Sequence, residues 1–320
     1  MTPRPVNLPA VLAVARLSPL LMAQLEATFE LHVLPDLDAA ALAAVAPRIR
    51  ALAGSGDAKV PGTLMAQLPA LELISIMGVG YDGVDVDAAL AGGIQVSHTP
   101  DVLNDDVADL AMGLLLSAAR QLPAADRFVR AGHWLQGNMP LARKLSGARL
   151  GLVGIGRIGQ AIAKRAAAFD MQVAYTARSA RPQLPYRFHA TAEALAAAVD
   201  YLVVITPGGD STRKLIDAQV LRALGPKGIL VNVARGSVVD EQALIDALEA
   251  GTIAGAALDV FEDEPRVPQR LLDLHKVVLA PHIGSATAAT RQAMADLAFA
   301  NLAEHFAGRP LRTPVPECQG

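Results

Sequence analysis

The 320-residue sequence contains one cysteine, Cys318. A single thiol excludes an intramolecular disulfide framework and a cysteine-based metal site. It also agrees with a reducing cytoplasm. Charge of one sign is equally scarce, since 28 Lys and Arg face 31 Asp and Glu for a net charge of −3. Nothing global therefore draws the chain to nucleic acid or to an anionic membrane. No uninterrupted apolar stretch reaches the length of a membrane span. The start, Arg4 followed by the apolar residues 8–15, has the outline of a secretion signal, but the run is short and contains Pro9. The expectation there is instead a first strand near residues 10–15 and then a helix. Internal repeats and low-complexity segments are absent, and the Ala-rich stretches read as helix formers. The acids near residues 262–264 form one cluster and no two histidines stand at ligand spacing, so no metal site is expected.

What is present is apolar substance in alternating pieces. At 320 residues and 52% hydrophobic content, the chain is long for one core and suggests two domains. In the first hundred residues, candidate strands at 11–15, 49–53, 73–77 and 94–96 alternate with helical patterns at 19–29, 37–46, 64–68 and 85–91. That alternation predicts a small parallel sheet covered on both faces. A long helical pattern follows over 104–131, too apolar for a solvated linker, and reads as a core helix, a dimer arm or both. Six further strands, at 149–153, 172–176, 201–205, 228–233, 254–259 and 277–280, alternate with helices and match a doubly wound dinucleotide-binding sheet. The last helix, 287–306, has no strand after it and is expected to return to the first domain.

The cofactor signal lies in Gly154-Ile155-Gly156-Arg157-Ile158-Gly159, placed after an apolar strand and before a helix. Gly154 permits a tight turn, Gly156 lets the backbone approach a pyrophosphate, and Gly159 lets the helix pack on the strand. At the end of the next strand, Thr176-Ala177-Arg178-Ser179-Ala180-Arg181 lacks the acid that would bind a ribose 2′-hydroxyl. Arg178, Ser179 and Arg181 can instead hold a 2′-phosphate, so NADPH is expected, with NADH possible.

Three stretches carry the chemistry: 231–236 with Arg235, 259–265 with Asp259 and three acids, and 281–285 with His282. Each begins where a predicted strand ends. Arg235 offers a planar charged fork to an α-keto acid. Asp259 can accept from a nicotinamide carboxamide or cap the loop after it. A glutamate beside His282 would raise its pKa and favour the protonated acid needed for ketone reduction. Glu262, Asp263 and Glu264 adjoin, so the sequence leaves that partner open. The other histidines, His32, His98, His133, His189, His275 and His305, read as structural. In the first domain, Gly78-Val79-Gly80-Tyr81-Asp82-Gly83 follows a strand, and its amides could converge on an anion or simply form a turn.

Together these stretches resemble the D-2-hydroxyacid dehydrogenase family over nearly the whole chain, most specifically at 152–159, 231–236, 257–265 and 281–285. Within it, residues 99–110 and Tyr175-Thr176-Ala177-Arg178 are similar to the NADPH-dependent glyoxylate/hydroxypyruvate and hydroxyphenylpyruvate reductases. The resemblance implies an α/β protein of two doubly wound parallel-sheet domains. One is a Rossmann cofactor domain, 100–284; the other is a smaller flavodoxin-like substrate domain, 1–99 completed by 285–320. It implies that Arg235 binds substrate, that Glu264 pairs with His282, and that His282 is the acid/base. Val79 and Gly80 would meet the substrate carboxylate through their amides. Arg157, Ile158, Thr206, Pro207, Val233, Ala234, Asp259 and Gly284 would join the glycine turn in holding the cofactor. A homodimer built around 104–146 and a cleft that closes over the reactants are implied too. The segment Thr206-Pro207-Gly208-Gly209 departs from the family's usual Pro-Leu-Thr. Hydroxypyruvate or glyoxylate is the expected substrate, with an aryl pyruvate as the alternative. Relatives of formate dehydrogenase place Gln beside the histidine, which Glu264 opposes. A non-enzymatic cofactor-sensing regulator would gain from long tails or a basic patch, neither of which is seen.

Overall fold

The computed structural model describes residues 8–319; Arg4, part of the signal-like start, lies outside them. The chain forms two units. One runs as far as Leu103 and resumes at Ala286, and the other is Asn104–Ser285. The expected divisions at 99/100 and 284/285 thus fall slightly later. Thr99 still belongs to the first unit, because its N–H donates to the Gly78 carbonyl, and the next helix starts only at Asn104.

The first unit is built on five parallel strands, β1 (Ala10–Ala13), β2 (Glu30–Val33), β3 (Ile49–Ser55), β4 (Leu73–Met77) and β5 (Gln95–Ser97). Their order, β2-β1-β3-β4-β5, is that of a flavodoxin-like doubly wound sheet. The runs Ala-Val-Leu-Ala and Leu-Ile-Ser-Ile-Met of β1 and β4 are buried throughout, as expected of strands covered on both faces. Helix Ala288–Phe306 returns to lie on β4, where Ser75 Oγ donates to the Ala298 carbonyl. β2 is not visible in the sequence pattern. Its Glu-Leu-His-Val is only half-buried at the sheet edge and carries no apolar run.

The second unit has seven strands: β6 (Arg149–Val153), β7 (Gln172–Thr176), β8 (Arg187–Phe188), β9 (Tyr201–Val204), β10 (Ile229–Asn232), β11 (Gly255–Leu258) and β12 (Val277–Leu279). All pair in parallel, in the order β12-β11-β10-β9-β6-β7-β8. The order reverses between β6 and β9, the switch point where doubly wound sheets bind ligands. Two-residue β8 is the strand the sequence did not reveal. The long helical pattern over 104–131 is two helices, Asn104–Arg120 and Leu122–Arg130. Gln121 between them takes φ 54°. Pro123 requires the break, because it lacks an N–H and its ring would clash with the carbonyl four residues back. The first of these helices packs on helix Arg157–Ala167 and on β10 and β11. Among the described residues, no helix is long and apolar enough to cross a membrane.

Candidate active site

Parallel strands end at one edge of the sheet, so the loops after β6, β7, β9, β10, β11 and β12 gather along the same side of the second unit. The glycine turn leaves β6 at that edge. Gly154 takes φ +105°, and a Cβ there would stand 2.8 Å from the Ile205 carbonyl oxygen. A Cβ on Gly159 would stand 2.6 Å from the Gly154 oxygen, so this residue allows the helix to close on the turn. Gly156 caps helix Arg157–Ala167 and has nothing within 4 Å of its Cβ position. That open space in front of the first turn of the helix, which begins with Arg157 and Ile158, fits a dinucleotide pyrophosphate. After β7, Arg178, Ser179 and Arg181 are exposed. The loop is pinned from below, since the Arg181 N–H donates to the Tyr175 hydroxyl at 2.6 Å. After β9, Thr206 and Pro207 enter a loop closed by Thr212 Oγ1, which donates to the Pro207 carbonyl at 2.7 Å.

Arg235 is presented by a turn that Asn232 builds. Asn232 is buried at the end of β10; its Oδ1 accepts from the Ala234 N–H and its Nδ2 donates to the Arg235 carbonyl. Val233 and Ala234 are buried beside it. Gly236 follows because nothing larger fits: a Cβ there would lie 1.9 Å from the Phe261 carbonyl. The Arg235 turn and the loop after β11 are therefore in backbone contact. Asn232 is not marked out by any motif in the sequence. Its signal was a polar residue closing an otherwise apolar strand.

Asp259 organises the other side. Its Oδ1 accepts from the Ile283 N–H at 2.7 Å and its Oδ2 from the Gly284 N–H at 2.9 Å, while its carbonyl accepts from the His282 N–H at 2.8 Å. Of the two uses open to Asp259, loop capping is the one the structure displays. Burial pushes its pKa up, against the pull of the two amides and of His282.

The choice among three acids is resolved by geometry. Glu262 lies 3.6 Å from Arg213, and Asp263 pairs with Arg266 at 2.8 Å. Glu264 turns inward: its Oε1 accepts from the Phe261 N–H at 3.0 Å and its Oε2 meets His282 Nδ1 at 2.7 Å. His282 is held at φ 53°, a conformation costly for a non-glycine residue, by its contacts to both acids. The bond to Glu264 raises the His282 pKa above the usual histidine value, although burial and the Arg235 charge oppose it. Burial works to raise the Glu264 pKa, but the His282 bond, the Phe261 amide and the charges of His282 and Arg235 bring it below the usual carboxylate value. The second unit thus brings Arg235, Glu264 and His282 together. With Nδ1 engaged by Glu264, Nε2 is the imidazole nitrogen left to face a reactant. In the first unit, the Val79–Gly80 loop follows β4, with the Gly78 carbonyl held by Thr99 and the Val79 carbonyl by His98 Nδ1 at 3.0 Å. No cluster of metal ligands occurs among the described residues.

A doubly wound dinucleotide turn, an Arg on one strand-end loop and a Glu-paired His on another define a nicotinamide-dependent dehydrogenase. The profile described as D-isomer specific 2-hydroxyacid dehydrogenase, NAD binding domain, matches residues 112–284. The chain belongs to that family. It is 50% identical over 267 residues to a glyoxylate/hydroxypyruvate reductase A of Arabidopsis thaliana, covering 83% of this chain and 85% of the relative. It is 47% identical over 274 residues to the hydroxyphenylpyruvate reductase of Plectranthus scutellarioides, covering 86% and 88%. Among solved structures, it matches the NADPH-dependent glyoxylate/hydroxypyruvate reductase of Sinorhizobium meliloti in complex with NADP and malonate. The TM-score is 0.92, at 47% identity and with 98% of each chain covered.

The pH dependence of reduction follows from the Glu264–His282 pair. If charged His282 is the proton donor, turnover in the reducing direction should hold at low pH and fall as pH rises through the raised His282 pKa. Replacing Glu264 by Gln removes the largest cause of that rise. In the pH profile of kcat, the descending limb of Glu264→Gln should therefore move to lower pH; an unmoved limb would detach Glu264 from the proton donor.

Proposed function

We propose that this enzyme reduces a small 2-keto acid, hydroxypyruvate or glyoxylate, to the D-2-hydroxy acid with NADPH. The observation that carries the reading is the 2.7 Å contact of Glu264 with His282, beside Arg235, at the edge that bears the glycine turn. Bound NADPH supplies the hydride. Arg235 holds the substrate carboxylate and polarises its carbonyl by charge-assisted hydrogen bonds. His282 gives the Nε2 proton to the carbonyl oxygen as it becomes a hydroxyl, and Glu264 stabilises the imidazolium before that transfer. In the reverse direction, neutral His282 takes the hydroxyl proton. Val79 and Gly80 offer their amides to the carboxylate.

The cofactor preference rests on two features: no acid stands at the end of β7, and Arg178, Ser179 and Arg181 sit exposed just beyond it. Gly154, Gly156, Arg157, Ile158 and Gly159 take the pyrophosphate. Thr206, Pro207, Val233, Ala234 and Gly284 line the nicotinamide side. Asp259 belongs to the same set through the lone pairs its two amides leave unused. The similarity to a hydroxyphenylpyruvate reductase favours an aryl pyruvate as the second reading, decided by the ratio of kcat/KM for the two substrates.

A homodimer in a reducing cytoplasm completes the proposal. Its support is the apolar surface of the 122–141 segment, where Leu135 and Leu141 are 95% and 98% exposed and Trp134 lies between solvent and little else at 66%. Several large apolar side chains left so exposed within one short segment suit a surface that a second copy covers. Sedimentation of the wild type should give the dimer mass, and Leu135→Glu with Leu141→Glu should shift it toward the monomer.

The chemistry is tested with hydroxypyruvate and NADPH. His282→Ala should lower kcat by about a hundred- to ten-thousandfold, the usual contribution of general acid catalysis, while NADPH binding holds. Arg235→Ala should lower kcat and raise KM together. Unchanged turnover in His282→Ala removes it from the mechanism.

A further inference from the structure

One histidine read as structural in the sequence occupies a particular place beside the first unit's glycine loop. His98 is 8% exposed and follows β5. Its backbone is fastened at both ends to Thr313: the His98 N–H donates to the Thr313 carbonyl at 3.1 Å, and Thr313 Oγ1 donates to the His98 carbonyl at 2.6 Å. Thr313 is fixed in turn by Asn301, which is fully buried on helix Ala288–Phe306. The Thr313 N–H donates to Asn301 Oδ1 at 3.1 Å, and Asn301 Nδ2 donates to Thr313 Oγ1 at 2.8 Å.

The ring is aimed at the loop. Nδ1 lies 3.0 Å from the Val79 carbonyl oxygen, and a carbonyl can only accept, so Nδ1 carries the proton of this bond. The Tyr81 ring meets the imidazole edge-on at 5.3 Å, and the Tyr81 hydroxyl donates to Glu317 at 3.0 Å. Just upstream, the Thr99 N–H holds the Gly78 carbonyl at 2.8 Å.

The Val79 carbonyl and the Gly80 N–H belong to one peptide unit. That unit is planar and trans, so the N–H points opposite to the C=O. Whatever fixes the carbonyl therefore fixes the direction of the N–H. A donor on the oxygen also polarises the amide and strengthens its N–H as a donor.

We propose that His98 is a positioning residue for the substrate: by holding the Val79 carbonyl it aims the Gly80 amide at the substrate carboxylate, with Asn301 and Thr313 as its support. This rests on the reading that the Val79–Gly80 amides bind that carboxylate. The helix and tail contributed by the C-terminal part of the chain thereby set affinity for the keto acid, not the rate of chemistry.

The test compares wild type, His98→Ala and His98→Asn in steady-state kinetics. The Asn side chain carries an N–H donor close to where Nδ1 stands, so it should restore the bond. A hydrogen bond nets about 0.5–1.5 kcal/mol, so His98→Ala should raise the KM for hydroxypyruvate about three- to tenfold. kcat and the KM for NADPH should stay within about twofold, the pattern of a lost uniform binding interaction. His98→Asn should return KM toward the wild-type value. An unchanged KM in His98→Ala, an equal loss in kcat and NADPH affinity, or a rise that Asn does not reverse overturns the proposal. Hydrogen exchange over residues 78–83 in the same three proteins reads the anchoring without turnover. Faster exchange in His98→Ala, slowed again in His98→Asn, supports it; identical exchange in all three overturns it. A wild type that reduces no 2-keto acid would refute the proposed function, and the exchange data would then decide the anchoring alone.

Discussion

The site depends on one ion pair, Glu264 with His282, which joins side chains from the loops after the paired strands β11 and β12. Each partner is poorly suited to its position alone. Glu264 is a partly exposed carboxylate whose partial burial works against its charge, and His282 is a half-buried imidazole beside the positive Arg235. Paired, each keeps the other charged. Breaking the pair from one side leaves the other group partly desolvated and without this partner. On the proposed mechanism, the proton that reduction needs is held by the same interaction that joins the loops after β11 and β12.

The backbone around the pair leaves little room for alternatives. Asp259 gathers the amides of Ile283 and Gly284 and, through its carbonyl, that of His282. Gly236 lets the Arg235 turn press against Phe261, and Glu241 Oε2 accepts from the Glu262 N–H on the outer side of the loop. Positive-φ His282 persists because these contacts over-determine it. Doubly wound sheets bind ligands at the carboxyl ends of their strands; in this chain short polar braces, Asn232 and Asp259 above all, fix the loops that carry Arg235 and His282.

Much of this was legible in the sequence because buried parallel strands are written as short apolar runs. β4, β6 and β7 were found at their observed bounds, and the glycine turn could be read residue by residue, since each glycine answers a distinct steric demand. The parts that were not legible share a physical cause. β2 and β8 are edge strands, short and partly polar, with one side unpaired. The break at Gln121 hid in a pattern apolar enough for one helix, although Pro123 marked it. Three adjacent acids could not be told apart, because whether Glu262, Asp263 or Glu264 faces His282 depends on the loop's path and not on composition. His98 looked like any buried histidine until its bond to the Val79 carbonyl gave it a direction.

The central claim is a Glu-supported His282 protonating a small keto acid as NADPH reduces it. It is tested most directly by kcat/KM for hydroxypyruvate measured with NADPH and with NADH on the same preparation. The account predicts turnover that favours NADPH. Turnover favouring NADH would preserve the chemistry and remove Arg178 and Arg181 from the cofactor site; no turnover with either cofactor would contradict the account.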